Sequence, residues 1–140
     1  MKKIALLLIF CLSTTITFSQ DIFGKWITID DETGVEKSIV NIYEKNGKVY
    51  GKIVDILNKD RKGVLCDKCE GNEKNKPILG LVIIKDLKKE GEYYKNGTIF
   101  NPENGKKYTC RITLSDNPDV LQVRGYISFL YATQYWKRLK

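Results

Sequence analysis

The 140 residues carry 24 Lys and Arg against 17 Asp and Glu, a net charge of +7, with four Cys and no His. Lacking histidine, the chain lacks the commonest general base and the serine and cysteine dyads that depend on it, and no glycine-rich phosphate loop is present. The lysines are strewn over turns and polar strand faces instead of forming a basic stripe with interleaved aromatics, which describes a solvated surface and not a nucleic-acid footprint.

In chain order, the first element is a signal. The opening MKKIALLLIFCLSTTITFSQ places two lysines before an unbroken apolar run, Ile4 to Leu12, and then small hydroxyl residues. This is the charged, apolar and cleavage order of a secretory signal peptide, and the run is too short to be a transmembrane segment. Cleavage after Ser19 is expected, giving a signal over 1–19 and a single domain over 20–140. A lipid anchor on Cys11 is the weaker alternative, since that residue lies inside the apolar run. Removing Lys2 and Lys3 lowers the net charge to +5, and the product belongs in the periplasm or outside the cell.

After the signal the apolar residues repeat with a step of two, the period of a strand with one buried face. Strands are expected at Lys25–Asp30, Ser38–Glu44, Val49–Leu57, Leu79–Lys85, Tyr108–Ser115, Val120–Ile127 and Thr133–Leu139, with shorter ones at Glu92–Tyr94 and Thr98–Phe100. Turn chemistry separates them: Asp31 to Gly34, Asn46-Gly47, Asn96-Gly97, Asn104-Gly105 and Ser115 to Asp119. The only helix-compatible window, Asp86–Glu90, is too short to matter. A stretch of about 20 residues, Asn58 to Pro77, has no element of its own and reads as a lid or an insert.

The fold class is therefore all-β, a single antiparallel up-and-down barrel of about eight or nine strands, because closure removes exposed edges. An immunoglobulin-like sandwich is the alternative, disfavoured because no widely spaced cysteine pair brackets a tryptophan. Gly24-Lys25-Trp26 at the start of the first strand is similar to the Gly-x-Trp signature of lipocalin-type barrels. In those barrels a late arginine closes the floor over that tryptophan, a position Arg138 can fill.

Cys66 and Cys69, three apart in a polar loop, admit three readings. A closed zinc site wants four ligands and would have to enlist carboxylates such as Asp67, Glu70 or Glu73. A redox dithiol wants a helix amino terminus after the first thiol, and EGNEKNKP offers none. A local disulfide fits an oxidising compartment and would pin the loop, so it is favoured. Cys110 falls on an apolar strand face as a buried, inert thiol.

A resemblance follows from Gly24-Lys25-Trp26, Thr28 to Asp31, Tyr50-Gly51-Lys52-Ile53, Cys66-Asp67-Lys68-Cys69 and Lys76 to Gly80. It continues through Asn101 to Lys106, Arg124-Gly125-Tyr126 and Trp136-Lys137-Arg138. In this order the chain resembles the exported bacterial family named domain of unknown function 2147, over Phe23 to Leu139. The resemblance implies a calycin-type barrel and no defined activity. Where the family usually has Asp before the Pro of its Asn-Gly turn, this chain has Asn101, which argues against an acidic role there.

The function expected is a non-catalytic binding module for a small apolar or amphipathic ligand, with Trp26, Tyr108, Ile112 and Val123 as candidate lining and Asn58 to Pro77 as a flap. Packed core is the favoured plain reading of those four residues. The alternative is an envelope protein-interaction module with a filled barrel, working through Arg124 and Tyr126, whose phase on their strand points outward. A hydrolase using paired carboxylates such as Asp30, Asp31 and Glu32 comes third. No metal or cofactor is expected.

Overall fold

The computed structural model describes residues 21–140. The expected signal segment, with Cys11 and the expected cleavage position, lies outside the described residues. Eight antiparallel strands follow one another around a closed barrel: β1 Gly24–Ile29, β2 Glu36–Lys45, β3 Lys48–Ile56, β4 Val82–Glu90, β5 Tyr93–Asn101, β6 Lys106–Leu114, β7 Val120–Ile127 and β8 Leu130–Arg138. Each strand pairs with its chain neighbour, and β1 returns to β8 through Trp26↔Arg138 and Ile27↔Lys137. The barrel has no free sheet edge to pair with another chain.

Alternation decides which side chains enter. Trp26, Val40, Ile42, Val49, Leu87, Cys110, Ile112 and Leu121 project inward and are buried, filling one half of the interior. Up-and-down order then assigns the connections to two poles. The Asn46-Gly47, Gly91-Glu92 and 115–119 turns and both ends of the described chain lie at one pole, here the floor. The 30–35 turn, the 57–81 loop, the 102–105 turn and the Ser128-Phe129 turn lie at the other, the mouth.

The floor is tied by Arg138. Its guanidinium carbon stands 4.3 Å from the Trp26 ring centroid, while Nη2 donates to the carbonyls of Asp21 (2.8 Å) and Pro118 (3.0 Å). Its Nε lies 3.4 Å from Asp119 Oδ1, an ion-pair separation without hydrogen-bond alignment. Trp26 Nε1 donates to Ile22 O at 2.8 Å, so the buried indole leaves no unmet donor.

Several elements differ from expectation. Asp86–Glu90 is extended and completes β4, with Asp86 at φ +62° where the register to β3 shifts. Asn96-Gly97 is not a hairpin turn. The two short strands expected around it are one strand, β5, and the pair forms a bulge where the ladder to β6 shifts between Tyr94↔Ile112 and Gly97↔Cys110. The left-handed backbone that Asn-Gly favours is used there to bend a strand, with Asn96 at φ +66°. Gly97 is required by contact as well: a Cβ would fall 2.1 Å from the carbonyl oxygen of Lys85. β4 begins at Val82 instead of Leu79. β8 begins at Leu130 instead of Thr133, because the Ser128-Phe129 turn is made with Ser128 at φ +55° and carries no Gly, Asn or Pro to mark it.

Candidate functional site

The mouth half of the barrel is hollow. A cavity of about 510 Å³ opens between the 30–35 turn, the long loop and the 102–105 turn, within the size range of small-molecule sites. Its buried wall is apolar: Ile53, Ile56, Ile83, Val123 and Trp136. Gly125 makes room on this wall, since a Cβ there would lie 3.2 Å from Tyr108 Cβ.

Polar groups stand on the inward phase where Trp26 and Val40 would otherwise be followed by more hydrocarbon. Thr28 Oγ1 and Ser38 Oγ share a hydrogen bond of 2.7 Å. Gln134 accepts from Trp136 Nε1 (3.1 Å) through Oε1 and donates through Nε2 to Asp31 Oδ2 (3.2 Å). The rim is charged. Lys37 Nζ lies 2.8 Å from Glu103 Oε1 and 3.9 Å from Asp30 Oδ2. Arg61 and Asn58 stand on the loop side.

Asp30 holds the 30–35 turn. Its Oδ1 accepts from Thr33 N (2.9 Å), Glu32 N (3.0 Å) and Thr33 Oγ1 (3.1 Å). These bonds, the Thr33 amide foremost, keep the carboxyl below its ordinary value of 3.8, a setting opposite to that of a general acid. Asn101 is likewise a turn residue, its Oδ1 accepting from Glu103 N at 2.9 Å.

The loop between β3 and β4 is a folded wall with two short 3-10 turns, Lys59–Arg61 and Gly71–Glu73. Cys66 and Cys69 form a disulfide inside it, and both are buried. Lys76 O and Asn75 N bond to the backbone of Cys66, and Leu65 bridges Pro77, which folds the segment back on itself. Outside it, Lys68 Nζ donates to Glu103 O (2.7 Å) and Lys85 Nζ pairs with Glu73 Oε1 (3.1 Å). Asn58, Arg61, Val64 and Ile78 thereby become cavity wall. Among the described residues no three His, Cys, Asp or Glu side chains converge as a metal site. Cys110 is fully buried and burial pushes its thiol up to about 12.

Of the four residues expected to line a pocket, Tyr108 and Val123 stand in the cavity wall. Trp26 and Ile112 do not; both are fully buried in the filled half, nearer the floor along their strands. Tyr108 accepts from Asn104 Nδ2 at 3.1 Å, which fixes its hydroxyl at the rim. Arg124 and Tyr126 project outward and are half-buried. Thr28, Ser38, Gln134 and Trp136 also line the cavity and were not among the residues expected to do so. The signal that could have found the polar three is their phase, inward on strands whose other inward residues are apolar.

Comparison with known proteins agrees with this architecture. Protein HP1028 from Helicobacter pylori, described as belonging to the lipocalin family, superposes with a TM-score of 0.76 over 87% of this chain and 85% of its own, at 24% identity. That level of identity shows a shared fold. No curated protein matches the chain. The family described as "Uncharacterized protein conserved in bacteria (DUF2147)" matches residues 24–138, the whole barrel from the first strand through Arg138, and the chain belongs to that family.

Proposed function

We propose that this protein is an exported, non-catalytic binding barrel that takes one small amphipathic molecule, its apolar part in the cavity and its polar end at the rim. The observation that carries the reading is the division of the interior: the floor half is solid with side chains, while the mouth half encloses about 510 Å³ walled by Ile53, Ile83, Val123 and Trp136. An eight-stranded barrel has room either for its own side chains or for one small ligand, and leaving half of it unfilled forgoes packing energy that a purely structural barrel would keep. Thr28, Ser38 and Gln134 offer hydrogen bonds partway up, and Lys37, Arg61 and Glu103 offer charge at the top. The disulfide-pinned loop supports export, since such bonds persist in oxidising compartments.

The test is native mass spectrometry of protein recovered after export, with a titration of single-chain amphiphiles read by Trp136 fluorescence. A co-purifying small molecule, or saturable binding lost in Val123→Trp with the β-sheet circular dichroism spectrum unchanged, supports the proposal. Unchanged binding in Val123→Trp, or no binding by any amphiphile, refutes it.

A further inference from the structure

The β7–β8 hairpin ends at the mouth in a tip that no part of the barrel covers. Phe129 is 85% exposed, Leu130 64% and Ile127 48%. Ile127 pairs with Leu130 on the inward phase, one rung above Gly125↔Ala132 of the cavity wall, so the apolar lining runs on past the rim as a lip. On the outward phase the next rung is Tyr126↔Tyr131, with ring centroids 5.7 Å apart. Below it comes Arg124, which reaches back toward the tip and lies 4.4 Å over the Tyr131 ring, its Nε bonded to Thr133 Oγ1 at 2.9 Å.

Arg124 sits directly opposite Arg111 on β6, and Arg111 lies over Tyr93 at 4.3 Å and Tyr126 at 5.9 Å. Two guanidiniums facing each other across a ladder repel, yet among the described residues neither forms an ion pair with a carboxylate, and Arg111 Nε has no hydrogen-bond partner. Lys106 and Lys107, exposed at the start of β6 beside the tip, are likewise outside the ion pairs of the described residues. The hairpin thus reads, from its end inward, apolar, then aromatic, then cationic. At about 3.4 Å per residue this sequence spans on the order of 10 Å. That is the depth over which a lipid surface passes from acyl chain through the aromatic-rich interface to phosphate.

We propose that this hairpin seats the barrel, mouth down, on an anionic lipid surface: Phe129, Leu130 and Ile127 enter the acyl boundary, and Arg124 and Arg111 meet lipid phosphates. Charge complementarity selects lipid as the occupant, because the apolar tip is backed by cations that have no carboxylate partner among the described residues. The docking does not require the cavity to hold a ligand, so it stands apart from the reading above.

The test is co-sedimentation of the exported protein with phosphatidylcholine vesicles and with vesicles also containing phosphatidylglycerol. Partitioning onto the anionic vesicles is expected, falling about tenfold in a Phe129→Ser, Leu130→Ser double variant. An Arg111→Gln, Arg124→Gln variant should lose the preference for anionic vesicles and its sensitivity to salt. A Phe129→Trp variant should shift its emission to the blue on anionic vesicles and be quenched by brominated acyl chains. The proposal is overturned by no partitioning, or by equal partitioning of the wild-type protein and the tip variant. It is also overturned if the wild-type protein dimerises through the tip, or if the tip crosslinks to an envelope protein without vesicle binding.

Discussion

Arg138 illustrates how one side chain can tie several segments together at the floor of the barrel. It stacks on Trp26, donates to the carbonyl of Asp21 ahead of β1 and to that of Pro118 in the 115–119 turn, and pairs with Asp119. Arg138→Ala should therefore lower stability by about 2–4 kcal/mol in urea unfolding, the sum of a partly desolvated cation-π contact and charged hydrogen bonds. Arg138→Lys should recover little of it, because an ammonium neither stacks as a plane nor reaches two carbonyls at once; full recovery would show that charge alone matters. Two carboxylates contribute to the acid response. Asp30 is depressed chiefly by the Thr33 amide, and Asp119 chiefly by its hydrogen bond from Lys140. Groups with lowered folded values contribute stability that is complete above their unfolded values and disappears as pH falls through the folded ones. Stability should stay level from neutral pH to about 5 and decline below about 4. Asp30→Asn and Asp119→Asn should flatten that decline, and an unaltered acid limb in both would remove these residues from the explanation.

At the level of elements, the Asn96-Gly97 bulge separates conformational need from steric need. Gly97→Ala drives a methyl into the Lys85 carbonyl and should cost about 3 kcal/mol or more, whereas Gly34→Ala, at φ +72° but in open space, should cost only about 1 to 2. Equal losses in thermal unfolding would contradict the bulge geometry. This pair also shows what the sequence could and could not disclose. Alternation along β1, β2, β3, β6 and β7 was legible because each has one buried face and a marked turn. The Asn-Gly dipeptide specifies positive φ but not whether the chain reverses or merely bends, so one strand was divided into two. Ser128-Phe129 was invisible as a turn for the converse reason: register with β7 imposes φ +55° on a residue with no preference for it. At the site, phase alone separated inside from outside, but not height along the barrel. Trp26 and Ile112 were thus grouped with Tyr108 and Val123 although only the latter two line the cavity, Val123 standing at its lower edge directly opposite Ile112.

For the molecule as a whole, the seam is the weakest join. β1 and β8 pair only at Trp26↔Arg138 and Ile27↔Lys137, while β7 and β8 pair along their full length from Val120↔Lys137 to Ile127↔Leu130. Amides at the seam should exchange with deuterium well before those of Ile112 and Val123, since local opening begins where the fewest bonds must break. Protection at the seam equal to that of β6 and β7 would mean the barrel opens only as one unit. Both ends of the described chain gather beneath that seam, Asp21 held by Arg138 and Lys140 paired with Asp119 at 2.8 Å. A dye, an affinity handle or a surface linkage attached at Asp21 or Lys140 would accordingly hang from the pole opposite the entrance, leaving access to the hollow half unobstructed.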